Sequence, residues 1–173
     1  GWLTPLEEVP DPVFAERMMG DGVAIDPIEE VVRAPADATV IAIPETAHAA
    51  RLRLENGAEL LIHIGLETVA LAGAGFRALS SAGAAVKAGE PLIEVDLGTV
   101  AGQARSLVTP IVVASEGFDL LLEPPSRLVK SGDRIAVIRG SAPAIADDSS
   151  RETHERTVRI EAPHGLHARP AAR

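Results

Sequence analysis

The residues of this chain best suited to chemistry are two histidines, His48 and His63. A neutral imidazole, with an ordinary pKa near about 6.5, is available as a nucleophile or proton carrier at neutral pH. Two imidazoles brought together could also ligate zinc, but a catalytic zinc needs three protein ligands. The sequence offers no His-x-His pair and no persuasive third ligand for His48 and His63, so no intrinsic metal site is expected; zinc shared with a bound partner's carboxylate stays open. The plainer alternative, one hydrogen-bonded core histidine and one surface histidine, is left standing by spacing alone.

The element that must bring the two together is a hairpin over residues 48–64. His48-Ala-Ala-Arg-Leu-Arg-Leu54 and Ala58-Glu-Leu-Leu-Ile-His-Ile64 flank Asn56-Gly57, a strong signal for a two-residue turn. A two-residue turn pairs Glu55 with Ala58 and places Ala50 opposite His63. His48 then shares the face of His63 as a diagonal neighbour at about 7–8 Å. Leu52 and Leu61 would lie on that face, and Ala49, Arg51, Arg53, Leu60, Ile62 and Ile64 on the other. Neither face is cleanly polar, so periodicity does not say which is buried.

Around the hairpin, residues 21–139 form short apolar runs such as Ala38-Thr-Val-Ile-Ala-Ile43 and Leu107-Val-Thr-Pro-Ile-Val-Val113, separated by Gly, Pro, Asn and Asp. This spacing predicts an all-β fold, a compact sandwich or barrel with few helical turns. The 173-residue chain is 46% hydrophobic but only 2% aromatic, so its core must be built from aliphatic side chains. A weak repeat supports a duplicated motif: Val86-Lys-Ala-Gly-Glu-Pro-Leu-Ile-Glu-Val95 is echoed by Val129-Lys-Ser-Gly-Asp-Arg-Ile-Ala-Val-Ile138. Biotinyl and lipoyl carriers share the Val-Lys-x-Gly pattern, but no Met-Lys-Met hairpin for a modified lysine is present. Near the start, Asp11-Pro12 can cap a short helix carrying Phe14, Met18 and Met19 before Gly20 ends it.

Composition excludes several functions. A formal charge of −9 and the scarcity of aromatic rings argue against nucleic acid and anionic lipid, and favour a basic protein partner. There are no cysteines, hence no disulfide, thiolate nucleophile or Cys-based zinc site. No signal peptide is visible and no apolar run approaches the roughly 18 residues of a membrane helix, so the expected location is cytoplasmic, without direct membrane insertion. Residues 141–155 are small, polar and aperiodic and read as a linker. Beyond them Thr157-Val-Arg-Ile-Glu-Ala162 alternates like a new strand opening a second domain. The expected organisation is a domain over 1–140, a linker over 141–155 and the start of another domain over 156–173, with a disordered C-terminal tail.

Several motifs together resemble one family. Leu6-Glu-Glu-Val-Pro-Asp-Pro-Val-Phe-Ala-Glu16, Met18-Met-Gly-Asp-Gly-Val-Ala-Ile-Asp26, Thr46-Ala-His48, Leu61-Ile-His-Ile-Gly-Leu-Glu-Thr-Val69, Gly75-Phe76 and Thr109-Pro110 closely resemble the glucose-type IIA proteins of the bacterial phosphoenolpyruvate-dependent sugar phosphotransferase system. The resemblance runs to about residue 140. It implies a relay in which phospho-HPr, a histidine phosphocarrier, passes phosphate to IIA, and IIA passes it to a cysteine of a IIB domain of a sugar permease, with glucose or N-acetylglucosamine as the sugar and no cofactor. By motif position His63 is the phosphoacceptor, His48 the second active-site histidine, and Thr46 the residue that orients His48. Asp11 and Glu67 match acidic positions of the partner-docking face, although the family usually has aspartate where Glu67 stands. Phe14, Met18, Met19 and Leu61 match its apolar ring, although the first three would also suit a core. A phosphoramidate stays reactive enough to pass its group on, and a ring N–H beside it can stabilise the equatorial oxygens of the loose transition state.

The family normally has another strand before the position of Gly1, so an N-terminally truncated piece of a longer multiphosphoryl transfer protein is expected. The segment His164-Gly-Leu-His-Ala-Arg-Pro-Ala-Ala172 resembles the active-site motif of HPr, with His167 as the matching phosphohistidine and Arg169 as its phosphate-binding arginine. Two other readings remain: a regulatory binding module switched by histidine phosphorylation, and a zinc-dependent hydrolase of related fold.

Overall fold

Aliphatic runs broken by Gly and Pro leave little for the chain to form except sheet, and the computed structural model, which describes residues 1–141 and 158–162, is built almost wholly of antiparallel strands. β1 (Trp2–Pro5) leads through a 3-10 turn (Leu6–Glu8) and the one-turn helix α1 (Pro12–Ala15) to β2 (Asp21–Asp26), β3 (Val31–Arg33), β4 (Ala38–Ala42), β5 (Ala49–Leu54) and β6 (Glu59–His63). A second 3-10 turn (Thr68–Leu71) precedes β7 (Phe76–Ala78), β8 (Ala85–Val86) and β9 (Pro91–Val95). After α2 (Leu97–Ala101) come β10 (Thr109–Val113), β11 (Phe118–Leu122), β12 (Arg127–Leu128), β13 (Arg134–Gly140) and β14 (Val158–Glu161).

An eight-stranded sheet runs β12-β1-β2-β10-β6-β5-β4-β8, and two three-stranded sheets run β3-β9-β7 and β11-β13-β14. Val23, Ile25, Leu52, Leu60 and Ile62 of the large sheet share one aliphatic core with Val32, Ile93 and Val95 of the second and Ile135, Ile138 and Ile160 of the third. This is the all-β sandwich expected from the sequence.

The repeat is real at the level of hydrogen bonds. In each copy a buried valine, Val86 or Val129, precedes a turn whose acidic residue accepts from the lysine N–H at 2.8 Å, Glu90 from Lys87 and Asp133 from Lys130. Gly89 and Gly132 take φ of 85° and 88° in the two turns. The strands follow suit: β8 pairs with β4 as β12 pairs with β1.

A second, smaller core lies on the outer face of the large sheet. Leu6, Val9 and Phe14 come from the turn and helix region after β1. They pack on Ala24 of β2, Val112 of β10 and Leu66. Asp11 caps α1, its carboxylate accepting from the Val13 N–H at 2.8 Å, and this fixes where Phe14 enters.

The strand expected to open a second unit joins this one. β14 pairs along β13 with Ile160 opposite Ala136, and Ile160 and Ala162 are buried in the main core. The Glu161 N–H donates to Pro35 O at 2.8 Å and the Ala162 N–H to Asp133 O at 2.9 Å. β13 otherwise ends its sheet, and an alternating apolar segment is what an open sheet edge accepts. Most of the linker and the motif containing His167 and Arg169 lie outside the described residues.

Candidate functional site

The hairpin forms with a register one residue away from the expected one. The turn has three residues, 55–57: the Gly57 N–H donates to Leu54 O, the Ala58 N–H to Asn56 Oδ1, and only Gly57 takes positive φ, at 91°. That is a turn closed by a glycine bulge, which the Asn-Gly pair serves as well as the tighter form. Ala49, not Ala50, therefore faces His63, and Arg51 faces Leu61. The outer face carries Ala49, Arg51, Arg53, Glu59, Leu61 and His63, while Ala50, Leu52, Leu54, Leu60 and Ile62 enter the core.

His48 precedes β5 instead of lying within it, and it reaches His63 by another route than strand alternation. Ala47 has φ 49°, which redirects the chain as it enters the strand, and the Ile64 N–H donates to His48 O at 2.8 Å. The ring centroids of His48 and His63 are 5.3 Å apart at 64°, and Phe14 stands 5.5 Å from His63 on the second core's side.

Each imidazole is held by one nitrogen. His63 Nδ1 lies 2.8 Å from Gly65 O, and a carbonyl only accepts, so Nδ1 carries the proton and Nε2 keeps its lone pair. Thr46 Oγ1 lies 2.6 Å from His48 Nδ1. Burial pushes the pKa of His63 below the ordinary value, opposed by its bond to Gly65 and by the nearby Asp11 carboxylate. Burial also lowers that of His48, assisted by the neighbouring His63. Both rings are therefore neutral at pH 7, and His63 is a ready nucleophile.

Gly65 is required at its position. Its φ is 67°, and a Cβ there would come within 2.8 Å of Thr68 Cγ2 and 2.9 Å of Ser106 O. The buried Thr68 hydroxyl donates to Ile64 O at 2.7 Å and closes the turn that aims the Gly65 carbonyl. Sequence reasoning passed over Gly65 and Thr68, although the glycine two places after a candidate histidine was a usable signal.

The other expected residues surround the pair. Phe14 is buried, Leu61 is half-buried, and Met18 and Met19 are 68% and 42% exposed. These methionines are not core; with Arg51, Leu61, Val113 and Ser115 they line an open groove of about 610 Å³. Glu67, at φ 61°, pairs with Arg105 of its own chain at 3.3 Å. Among the described residues no group of three or more His, Cys, Asp or Glu side chains converges to hold a metal ion, and no helix is long and apolar enough to cross a membrane.

Fold and site define a class: a β-sandwich that presents paired neutral imidazoles on an open, partly apolar face instead of inside a closed substrate cavity. The family model for the phosphoenolpyruvate-dependent sugar phosphotransferase system, EIIA 1, matches residues 1–118, and the chain belongs to this family. It is a phosphoryl relay component for sugar uptake, of the glucose type. A glucose-specific EIIA component of Bacillus cereus is 53% identical over 115 residues, 66% of this chain and 70% of that protein. An N-acetylglucosamine-specific EIICBA component of Klebsiella pneumoniae is 44% identical over 133 residues, 76% of this chain but 20% of that protein. The solved structure of the glucose permease IIA from Mycoplasma capricolum superposes with a TM-score of 0.73 at 38% identity, covering 79% of this chain and 88% of that one.

Proposed function

We propose that His63 is the phosphoacceptor and that the protein acts as a phosphotransferase between phospho-HPr and a IIB domain in the cytoplasm. The observation that carries this reading is the Gly65 carbonyl on His63 Nδ1, which leaves Nε2 as the nucleophile beside His48. The Nε2 lone pair attacks phosphorus, the P–N bond to the donor imidazole breaks, and the electron pair returns to the donor ring. The product ring carries phosphorus on Nε2 and a proton on Nδ1. Its partial positive charge is stabilised by the Gly65 carbonyl and makes His63 a good leaving group for the second transfer, to a IIB cysteine thiolate.

With Thr46 donating to its Nδ1, His48 carries its proton on Nε2 and offers it to the phosphoryl oxygens. Phe14, Met18, Met19 and Leu61 supply the apolar ring on which both partners seat, and flexible methionines suit a surface with two partners. Asp11 and Glu67 supply carboxylates for partner arginines. In the same reading the segment from residue 156, with His167 and Arg169, is the start of an HPr domain whose first strand, β14, is seated on β13 of the sandwich.

Phospho-HPr labelled in its phosphoryl group tests the assignment. His63→Ala loses label uptake, and His48→Gln accepts label but passes it to IIB slowly. Undiminished uptake by His63→Ala would sink it.

A further inference from the structure

Arginine is the side chain best matched to a phosphoryl group, and the register found here puts one beside His63. Ala49 faces His63 and Arg51 faces Leu61 on the same outer face, so Arg51 is the diagonal neighbour of His63, about 7–8 Å away at the backbone. An extended guanidinium spans that gap. The expected two-residue turn would have put Arg51 on the opposite face, so the position emerges from the structure alone.

The arginines near the site differ in how firmly they are held. Arg17 is paired with both Glu7 and Asp21, and Arg105 with Glu67. Arg51 shares its single carboxylate: Glu59 takes Arg51 Nη2 at 2.7 Å on one oxygen and Arg53 Nη2 at 2.8 Å on the other. The carboxyl of Glu59 is held below its usual range first by the Arg53 hydrogen bond and then by Arg51. If Arg51 departs, Glu59 keeps a partner, so its exchange onto a stronger anion costs little. A phosphoryl group brings roughly two negative charges and three acceptor oxygens to a face where the Asp11 carboxylate, already felt by His63, repels it.

We propose that Arg51 is a phosphoryl-binding residue that leaves Glu59 when His63 is phosphorylated and closes on the transferred group from the groove side, opposite His48. This rests on His63 as the acceptor. Arg51 then serves as a charge clamp during uptake and holds the carrier in its loaded state, and the incoming IIB surface must displace it.

The test is phosphorus NMR of the phosphorylated full chain, titrated through the second ionisation of the phosphoryl group. The charged and titratable groups on the elements around it are His48, Asp11, Glu67, Arg17, Arg105, Arg51, Arg53 and Glu59. Arg51→Gln is expected to raise that pKa by at least about half a pH unit, the effect of losing one cation at roughly 5 Å with full water screening. The equilibrium constant for phosphoryl transfer from phospho-HPr, measured above that pKa, falls at least about threefold in the same variant. Arg51→Lys restores part of the shift, and Arg53→Gln, which also pairs with Glu59, leaves the pKa unchanged. A phosphohistidine signal from His63 whose pKa is the same in Arg51→Gln overturns this inference alone. A signal that maps to a residue other than His63 overturns the acceptor assignment, and this inference with it.

Discussion

Thr46→Val removes the hydroxyl that lies 2.6 Å from His48 Nδ1 and keeps the side-chain shape. In the wild-type protein the hydroxyl decides which nitrogen of His48 carries the proton. If it donates, the proton is on Nε2; if it accepts, the proton is on Nδ1 and Nε2 presents a lone pair to the site. His63 already presents its own lone pair there, because Gly65 O fixes its proton on Nδ1. Two lone pairs facing one phosphoryl site repel both each other and the incoming oxygens, so donation by Thr46 is the arrangement that works. A net contribution of about 1 kcal/mol from that hydrogen bond corresponds to about a fivefold bias in the tautomer ratio. Thr46→Val is expected to erase this bias, lower the working tautomer from about five-sixths to about one-half and slow transfer from His63 to IIB by about twofold, while Thr46→Ser retains most of the rate. Long-range nitrogen–proton NMR of histidine-labelled protein reads the tautomer directly. Finding the His48 proton on Nδ1 in the unsubstituted protein would refute the reasoning, whatever the rates.

Other consequences can be measured on the same protein. Since burial lowers the folded-state pKa of both histidines, the unfolded chain binds more protons than the folded one just below about pH 6.5. Stability at pH 7 should therefore be lost as pH falls through that window, and His48→Gln/His63→Gln should flatten the slope in denaturant titrations; an unchanged slope contradicts it. Gly65→Ala should cost about 1–3 kcal/mol, from its positive φ and the contacts of the new methyl group, and should slow label uptake as the carbonyl on His63 shifts. Chemical unfolding and uptake kinetics check both effects, and a normal uptake rate would show that the carbonyl does not position the ring. Ile160→Ala should lower stability by about 2–5 kcal/mol if β14 unfolds with the sandwich. Hydrogen exchange should then quicken at Ala136 and Ile138 of β13, which face β14, and an unaltered midpoint with unaltered exchange would mean that β14 is not part of the cooperative unit.

Much of the fold was legible because its signals are local. Alternation, aliphatic composition and turn residues announced strands and the repeat, and both copies of the repeat close their turns with an acidic side chain, Glu90 or Asp133, and a glycine. The hairpin register was misread because Asn-Gly serves two turn types, and one extra loop residue exchanges the faces of the two strands. The histidine pair was expected, yet it forms through the positive φ of Ala47, which no pattern announces. The second core was hidden for a different reason: Leu6, Phe14, Leu66 and Val112 are far apart in sequence and meet only after the large sheet has formed. The placement of β14 was equally out of reach, since an alternating segment fits any open edge and its sequence does not name the partner strand.

The position of His63 in the sheet explains how an open face can do precise chemistry. A carrier that must be met by more than one protein has no deep pocket to hold its nucleophile rigid, so rigidity has to come from below. β6 is an interior strand, paired with β5 through His63 itself and with β10 as far as Ile62, so the strand that carries the imidazole is held from both sides. Interior strands are the last to open in native fluctuations. The carbonyl of Gly65 then sets the ring through one hydrogen bond, and Phe14, brought by the helix that Asp11 caps, supports it from the side. Each support is backbone or buried apolar contact, neither of which is disturbed when a partner covers the surface. The polar groups left to rearrange, Arg51 with Glu59 and Arg105 with Glu67, are exposed ion pairs of the kind that solvent screens and that add little to stability. The site thus separates what must stay fixed during transfer from what must be exchanged with each partner, and it places the boundary between the two at the imidazole of His63.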